Sequence, residues 1–407
     1  MIHSFSFKNF CSFAERADIH FDNQRKDLNN NMICSTANNE KLSKILMLAG
    51  ANASGKTSVL KALAFIRWLI RDSFIVAAEE ENSIPVDPFR FTDEREIPTE
   101  FETIFECNKT IYKYIVRLNQ NQIFNEELQY LNDTNHYNYL FIRAWNADSK
   151  KFDFKHKPEL GLNPDVILNI LRKNVSLMSA GSAINNKLLI EISKYWDNMI
   201  TNVIRLGKFT NRSVSDTDLK PATQKYDKDR ALFKKVVGFL KEIDVGLVNV
   251  EIEKIQERNN STGELYTLPF PMGVHESGNV NYKLPFLLES NGTKNMYVLM
   301  GSIFKALEIG GIAAIDEIEL DLHPHAIPKI IDLFINPETN PKNSQLLFSS
   351  HSMDILNRLE KEQVILVEKD KNCKSSLYRL DSIKGIRRDD NLYAKYMSGA
   401  YGAVPNI

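Results

Sequence analysis

The residues best suited to chemistry in this sequence form a short glycine-containing segment near residue 50. The segment GANASGKT, residues 50–57, fits the pattern G-x-x-x-x-G-K-[ST] of a phosphate-binding P-loop. In such a loop, backbone N–H groups converge on phosphate oxygens at the N-terminus of a helix. We expect Lys56 to neutralise the β- and γ-phosphate oxygens and Thr57 to ligate Mg²⁺. The predicted nucleotide-binding residues of this segment are Gly50, Asn52, Ser54, Gly55, Lys56, Thr57 and Ser58.

A P-loop also needs acidic partners, and the best candidates lie far along the chain. The apolar run IAAI, residues 312–315, is followed by Asp316 and Glu317, and Asp316 lies 259 residues after Thr57. Adjacent residues diverge in direction as a chain leaves a strand. We therefore expect Asp316 to enter the Mg²⁺ shell and Glu317 to polarise the attacking water. His351 follows the apolar strand at residues 346–350, so it is placed to hydrogen-bond a γ-phosphate.

The long gap between these segments contains a further polar loop, LLESNGTK, at residues 287–294. Ser290 is suited to cap the helix that follows, and the region from Ser290 through Gly292 forms a helix N-terminus that attracts anions. Two interpretations stay open from the residues alone: a helix cap and nothing more, or an anion-binding loop.

Local patterns predict that a parallel sheet positions these residues. A buried strand at residues 44–49 runs into the loop, and an amphipathic helix follows to about Ser73. In the last third, strands at residues 312–315, 345–349 and 364–367 alternate with helices, which is typical of parallel strands covered by helices. Functional residues then lie at the carboxyl ends of the strands.

The rest of the chain is predicted to form an antiparallel meander and a helical segment. Alternation at residues 99–130 indicates the meander. Residues 166–171, 188–204 and 230–240 follow helical spacing. We therefore predict an α/β P-loop nucleotide domain made of residues 1–160 and 246–407, with a mostly helical insertion at residues 161–245.

Composition excludes several classes of protein. The 407 residues carry a formal net charge of −1, so no global cationic field indicates nucleic acid or a membrane surface. The four scattered cysteines form no C-x-x-C pair, which argues against a zinc site and for a reducing compartment. The sequence begins with no signal or transit pattern and holds no apolar run of ~20 residues. We expect a cytoplasmic protein.

The combined motifs resemble the ABC-type ATPases, a group that includes SMC proteins and RecF. The resemblance is closest to the AAA15 or RloA-type branch, which includes the AriA ATPase of PARIS anti-phage systems. It is carried by FKNFCSF, GANASGKTS, ESNGTKN, IDEIELDLHP, SSHSMDIL and the terminal YMSGAYGAVPNI. These motifs span both ends of the chain, whereas the insertion carries none that we can assign.

The resemblance implies a role for each matching segment. Residues 50–57 match the Walker A motif, Asp316 and Glu317 the Walker B motif, and His351 the switch histidine. Residues 290–293 match the signature loop, in which Ser290 and Gly292 of one subunit bind the γ-phosphate held by another subunit's P-loop. Residues 320–323 match the D-loop. Two departures concern γ-phosphate sensing, because Asn291 replaces the first glycine of the usual signature pair and no Q-loop is evident.

The same resemblance implies ATP and Mg²⁺ as cofactors and a homodimer or higher homo-oligomer formed through ATP. It further implies a nucleotide-dependent sensor or gate in an anti-phage abortive-infection system. Such a sensor controls a separately encoded effector, expected to be a TOPRIM-type nuclease, and responds to a phage-protein trigger. Glu368 resembles a TOPRIM glutamate, but only residues 369–407 follow it and no D-x-D motif occurs there. We therefore expect Glu368 to be structural and the nuclease to be a separate chain.

Two other functions remain open at this point. One is a DNA-maintenance ATPase of the RecF or SMC type that binds DNA directly. The near-neutral charge and the lack of coiled-coil heptads weigh against it without settling whether the chain contacts nucleic acid. The other is a nucleotide-locked scaffold with negligible turnover, because Glu317 alone does not set a rate.

Overall fold

The computed structural model describes residues 1–23, 30–76, 83–92, 97–204, 207–208, 216–244, 246–258, 263–320, 322 and 325–404. Its strands in chain order are β1 Ile2–Lys8, β2 Ala17–His20, β3 Ile33–Ser35, β4 Lys41–Ser43, β5 Ile45–Ala49, β6 Thr99–Cys107, β7 Thr110–Leu118, β8 Ile123–Leu131, β9 Tyr137–Asn146, β10 Lys151–His156, β11 Ile200–Thr201, β12 Val203–Ile204, β13 Gly207–Lys208, β14 Leu247–Arg258, β15 Leu265–Ser277, β16 Val280–Pro285, β17 Ile312–Ile315, β18 Gln345–Ser349, β19 Val364–Lys369 and β20 Ser375–Arg379. Its α-helices are α1 Lys56–Arg71, α2 Ser73–Val76, α3 Pro164–Ile170, α4 Leu177–Ala183, α5 Lys187–Asp197, α6 Asp216–Lys228, α7 Arg230–Ile243, α8 Asn291–Ile309, α9 Ala326–Ile335 and α10 Leu392–Met397.

A six-stranded sheet, counted over the described residues, carries the predicted P-loop strand. Its order is β11-β17-β18-β5-β19-β20, and all neighbours pair in parallel except the last pair. Strand β18 lies between β5 and β17, so the ends of three adjacent parallel strands meet at one edge. That edge carries the P-loop, the Asp316–Glu317 pair and His351. The predicted parallel α/β sheet is confirmed.

Both faces of this sheet are covered, which explains why its strands are apolar without alternation. Successive side chains of a strand point to opposite faces. In β5, Leu46 and Leu48 therefore belong to one hydrophobic core while Ile45, Met47 and Ala49 belong to the other. Helix α1 packs on the first face through a stripe of residues at helical spacing, namely Val59, Leu60, Leu63, Ile66, Leu69 and Ile70.

The predicted antiparallel meander forms a second sheet beside the first core. Its order is β10-β9-β8-β7-β6-β1-β2, with antiparallel pairing throughout the described strands. Strand β6 alternates buried and half-buried residues along its whole length, as expected for a sheet with one covered face. The N-terminal strands thus share a core with α1, the helix that begins inside the P-loop.

The segment predicted as a helical insertion contacts both cores. Helices α4 and α5 pack on α1, while α6 and α7 pack with α8 on the other side of the sheet. The buried Glu126 of the meander accepts a hydrogen bond from the backbone N–H of Leu177 (2.9 Å) and pairs with the buried Arg143 (2.8 Å). That network ties α4 to the meander. The division between the helical insertion, residues 161–245, and the nucleotide domain stays a prediction.

One predicted helix ends earlier than its hydrophobic spacing indicated. The helix expected over residues 188–204 stops at Asp197, and Ile200–Thr201 forms β11 instead. The reason is tertiary: these residues pair in parallel with Ala313 and Ala314 at the edge of the main sheet. β-branched residues favour a strand wherever an edge offers backbone partners.

Neither a membrane-spanning helix nor a disulfide is found in the part of the chain that the structure describes. No helix of the described residues is both long and apolar enough to cross a membrane. The four cysteines are all free thiols, and burial raises the pKa of Cys11, Cys34 and Cys107 to about 11.

Candidate active site

A cavity of about 760 Å³ lies at the carboxyl ends of β5, β17 and β18. Its walls bring together segments that are hundreds of residues apart in the sequence. The lining residues are Ser12, Asn52, Ala53, Ser54, Gly55, Lys56, Thr57, Ser58, Asp316, Glu317, Glu319, Leu320, His351 and Lys369. Gly50, at the start of the loop, lies behind this wall.

The P-loop glycines occupy positions where a side chain has no room. A Cβ atom on Gly50 would lie 2.1 Å from the carbonyl oxygen of Val367. Gly55 has φ +123°, and a Cβ there would lie 2.7 Å from Ser375 Oγ. The loop is therefore pressed against β19 and β20, and residues 52–58 line the cavity on its other side. This cradle fits a phosphate chain.

Lys56 is buried at the start of α1, and its ammonium group is held by the loop itself. Nζ donates hydrogen bonds to the carbonyl oxygens of Gly50 (2.8 Å) and Ala51 (2.9 Å). Burial lowers the pKa of Lys56, and the nearby carboxylates of Asp316 and Glu317 oppose that effect. Neutral carbonyls are weaker partners for an ammonium group than anionic oxygens, so a phosphate competes well for it.

Asp316 lies at the end of β17 with both carboxylate oxygens hydrogen-bonded. Oδ2 accepts from Thr57 Oγ1 (2.8 Å) and Oδ1 accepts from Ser349 Oγ (2.5 Å). The first contact joins the two ends of the 259-residue gap that separates the motifs in the sequence. A hydroxyl and a carboxylate in contact form an oxygen-only donor set of the kind that Mg²⁺ prefers.

Asn202 fixes the backbone of Asp316 from the other side. Its Oδ1 accepts from the Asp316 N–H (2.8 Å), and its Nδ2 donates to the Asp316 carbonyl (2.9 Å). The side-chain amide of Asn202 thus extends the hydrogen bonding between β11 and β17 by one residue. The segment at residues 200–202 was predicted as helix, so sequence reasoning missed this contact.

Glu317 leaves the strand in an unusual conformation that turns its carboxylate into the cavity. Its φ is +45°, in the left-handed region that residues with a Cβ adopt rarely. The Glu317 N–H donates to Ser349 Oγ (2.7 Å), and the N–H of Ile318 donates to the Ser349 carbonyl (3.1 Å). Ser349 therefore holds both acidic residues, one through each function of its hydroxyl. Such strained backbone is found mainly at functional sites.

His351 and Glu317 face each other across the mouth of the cavity. His351 Nε2 lies 3.8 Å from Glu317 Oε1, and both side chains are partly exposed. The backbone N–H of His351 donates to the carboxylate of Glu319 (2.5 Å). The sequence predicted that His351 lies at the exit of a strand that neighbours the strand of Asp316 and Glu317, and β18 does pair with β17.

Ser290 and Gly292 are not among the residues that line this cavity. Ser290 caps α8, accepting a hydrogen bond at Oγ from the backbone N–H of Thr293 (3.1 Å). The exposed Ser290 and the half-buried Gly292 form a helix N-terminus open to solvent. Within one chain the structure therefore supports the capping role alone. Of the predicted D-loop, Asp321 and His323 lie outside the described residues.

The cavity fits ATP with Mg²⁺ on its own features. The glycine cradle faces the buried cation of Lys56, and Thr57 with Asp316 provides the oxygen ligands. Among the described residues, no group of three or more His, Cys, Asp or Glu side chains could hold a metal by itself. Two protein ligands are sufficient for Mg²⁺, which usually completes its shell with phosphate and water.

Sequence reasoning missed Ser12 and Lys369, which complete the cavity wall. Ser375 Oγ donates to the Ser54 carbonyl (2.6 Å) and lies within hydrogen-bond distance of Ser12 Oγ (2.8 Å), so the loop after β1 is tied to the P-loop. Lys369 is exposed at the end of β19, and its backbone lies opposite that of Ser375 in β20. The only sequence signal was the position of Lys369 at the end of a strand in the same sheet.

We expect Lys369 to add affinity for the nucleotide by its charge. Lys369→Gln should weaken ATP binding about two- to fivefold, since an exposed ion pair contributes up to ~1 kcal/mol. The loss should shrink as salt is raised. Titration of ATP at two ionic strengths measures this, with Lys371→Gln as the control because Lys371 is exposed nearby but does not line the cavity. Equal affinities for the two variants would exclude the contact.

The chain matches a known protein family. The family model described as "AAA domain, putative AbiEii toxin, Type IV TA system" matches residues 45–357. No curated protein matches the chain. Among solved structures, a crystal structure of the SMC head bound to the C-winged helix domain of ScpA shares 15% sequence identity, covering 93% of this chain and 96% of that one with a TM-score of 0.44. Since the family model spans most of the chain and includes the P-loop, Asp316, Glu317 and His351, the chain belongs to this family of AAA domains, whose members are P-loop ATPases.

Proposed function

We propose that this chain is an ABC-type, Mg²⁺-dependent ATPase that acts as a nucleotide-dependent sensor or gate in an anti-phage abortive-infection system. The observation that carries the ATPase part is the contact of Thr57 Oγ1 with Asp316 Oδ2 (2.8 Å) in a cavity that also holds Lys56, Glu317 and His351. The family description, which names a putative AbiEii toxin of a type IV TA system, supports the defence part.

The nucleotide-binding and catalytic residues have distinct tasks in this proposal. Bound ATP with Mg²⁺ supplies the phosphoanhydride bond and a cation that withdraws charge from it. Lys56 and the N–H groups of residues 52–55 bind the phosphates, while Thr57 and Asp316 hold the metal. Glu317 polarises water and accepts its proton, and His351 hydrogen-bonds the phosphate that is released. Ser349 and Asn202 keep Asp316 and Glu317 in position.

Ser290 and Gly292 do not line the cavity of their own chain, and we propose that they complete the site of a second copy. In the ABC-type arrangement, Ser290 and Gly292 of one copy bind the γ-phosphate held by the other. The open N-terminus of α8 supports this, because its unpaired backbone N–H groups and dipole favour an anion. ATP would then join two copies, and hydrolysis would release them.

We further propose that the chain belongs to the RloA-type branch and works with a separately encoded effector, a TOPRIM-type nuclease, under a phage-protein trigger. The motif resemblance supports this, and the position of Glu368 supports a nuclease that is carried by a separate chain. Its carboxylate lies 3.4 Å from the hydroxyl of Tyr378 rather than in the nucleotide cavity. That arrangement fits a structural residue.

The experiment compares phage infection of cells that carry this chain alone with cells that also carry its operon neighbour. We expect growth arrest on infection only when both proteins are present, and only with Glu317 intact. Retention of the neighbour on purified Glu317→Gln protein would show binding without firing. Protection by this chain alone, with no partner retained, would contradict the proposal. Salt-dependent DNA binding by the purified chain would favour the RecF or SMC-like alternative.

A further inference from the structure

The C-terminal segment at residues 396–404 lies directly against the P-loop, although the ATPase chemistry assigns it no task. It comprises the last two residues of α10 and the turn that follows, which reaches Ala51 of the P-loop. Tyr396, Tyr401 and Ala403 are each at most 6% exposed and belong to the second hydrophobic core. The sequence singled out this segment as a motif without a role. Residues 405–407 lie outside the described residues.

One hydrogen bond connects this segment to the loop. The backbone N–H of Ala51 donates to the carbonyl oxygen of Ala403 (3.1 Å). The same peptide unit contains the Gly50 carbonyl, which accepts from Lys56 Nζ (2.8 Å). A peptide unit is planar, so a bond that fixes its N–H direction also fixes its carbonyl direction. The C-terminal segment therefore orients one of the two carbonyls that hold the P-loop lysine.

The Ala403 carbonyl is itself firmly placed. It accepts a second hydrogen bond from the hydroxyl of Tyr396 (3.0 Å), and the Tyr401 carbonyl accepts one from the hydroxyl of Tyr378 (2.8 Å). Burial, reinforced by the charge of Glu368, raises the pKa of Tyr378 to about 12, so its hydroxyl remains a donor at neutral pH.

The backbone of this turn also requires support. Gly402 and Ala403 are consecutive left-handed residues, with φ of +74° and +56°. A Cβ atom on Gly402 would lie 2.7 Å from the Tyr378 hydroxyl. Residues with a Cβ adopt this conformation only where their surroundings hold them in it. Tyr396 thus holds the Ala403 carbonyl directly, and Tyr378 holds the turn that precedes it.

We propose that residues 396–404 are a positioning element for the nucleotide site, which sets the orientation of the Gly50–Ala51 peptide and thereby the affinity for ATP. The proposal rests on the ATP site of the proposed function. No residue of this segment lines the cavity that holds Asp316, Glu317 and His351, so its loss raises KM for ATP and leaves kcat unchanged.

The test uses tyrosine-to-phenylalanine substitutions that remove one hydroxyl each. Tyr396→Phe and Tyr378→Phe are compared with Tyr393→Phe, a surface tyrosine of α10 that is 38% exposed. In nucleotide-free protein, hydrogen exchange of the Ala51 amide should accelerate about two- to tenfold in the first two variants, the effect of one typical hydrogen bond. The Kd for ATP, measured by titration with ATP itself, should rise by a similar factor, with kcat equal to that of the control.

Gly402→Ala provides a second perturbation, because its Cβ disturbs the Tyr378 contact without removing a hydroxyl. It should reproduce both changes. Exchange of Ala51 at the control rate would overturn the proposal, and so would faster exchange with an unchanged Kd. A wild-type chain that binds no ATP would refute the proposed function instead. The exchange measurement, made without nucleotide, separates these failures by showing whether the segment holds the peptide.

Discussion

The substitution Glu317→Gln is expected to reduce ATP turnover by at least ~100-fold while ATP binding persists, the loss typical of removing a general base. Glutamine has nearly the same shape and keeps the backbone hydrogen bond to Ser349, but its amide accepts no proton from water. Phosphate release under saturating ATP measures the rate, and equilibrium titration measures binding. Turnover at the wild-type rate would show that Glu317 is not the base.

Two further variants separate this chemical effect from a general loss of the site. Lys56→Ala should lose nucleotide binding, because it removes the buried cation beside the glycine cradle. Glu338→Gln makes the same chemical change as Glu317→Gln at an exposed glutamate outside the cavity. It should leave both rate and binding unchanged. We expect the Glu317 variant to bind ATP without turnover, the Lys56 variant not to bind ATP, and the Glu338 variant to behave as wild type. These three results together would assign the hydrolysis step to the Glu317 carboxylate.

The substitution Gly292→Asp is expected to abolish ATP-dependent association while the isolated chain keeps its nucleotide affinity. A carboxylate in this loop repels the γ-phosphate held by the other copy. The fold should tolerate it, because an acidic residue in the first turn of α8 interacts favourably with the helix dipole. Gly292→Ala is the control, since it adds a Cβ without charge and should still associate.

Sedimentation velocity with and without ATP measures this association, and it is most sensitive in the Glu317→Gln background, where bound ATP is not consumed. Loss of association in both Gly292 variants would indicate a steric effect on the loop. Loss of nucleotide affinity in the isolated Gly292→Asp chain would mean that this loop belongs to the chain's own site.

The parts of the site that the sequence predicted are those that consecutive residues specify. The P-loop pattern, its buried strand and its helix are local, so the position of Lys56 and Thr57 followed from the motif. Asp316, Glu317 and His351 followed from a general rule, that parallel strands end at one edge of their sheet. Asp316 could be placed beside Thr57 by this rule although it lies 259 residues later in the sequence.

The parts that the sequence did not predict depend on long-range contacts. Ser349 is one serine among several, and its double hydrogen bond is visible only when β18 lies beside β17. Asn202 was assigned to a helix, because hydrophobic spacing alone cannot reveal that a sheet edge is available nearby. The contact of Ala403 with Ala51 joins residues at opposite ends of the chain. No local pattern encodes such a contact.

Mixing two inactive variants tests most directly whether two copies of this chain build each ATP site together. Lys56→Ala carries an intact signature loop, and Gly292→Asp carries an intact P-loop. If each site takes its P-loop from one copy and Ser290 and Gly292 from the other, a mixture contains one complete site in every mixed pair. We predict that the mixture hydrolyses ATP although neither variant does so alone. A mixture no more active than its two components would contradict the shared site.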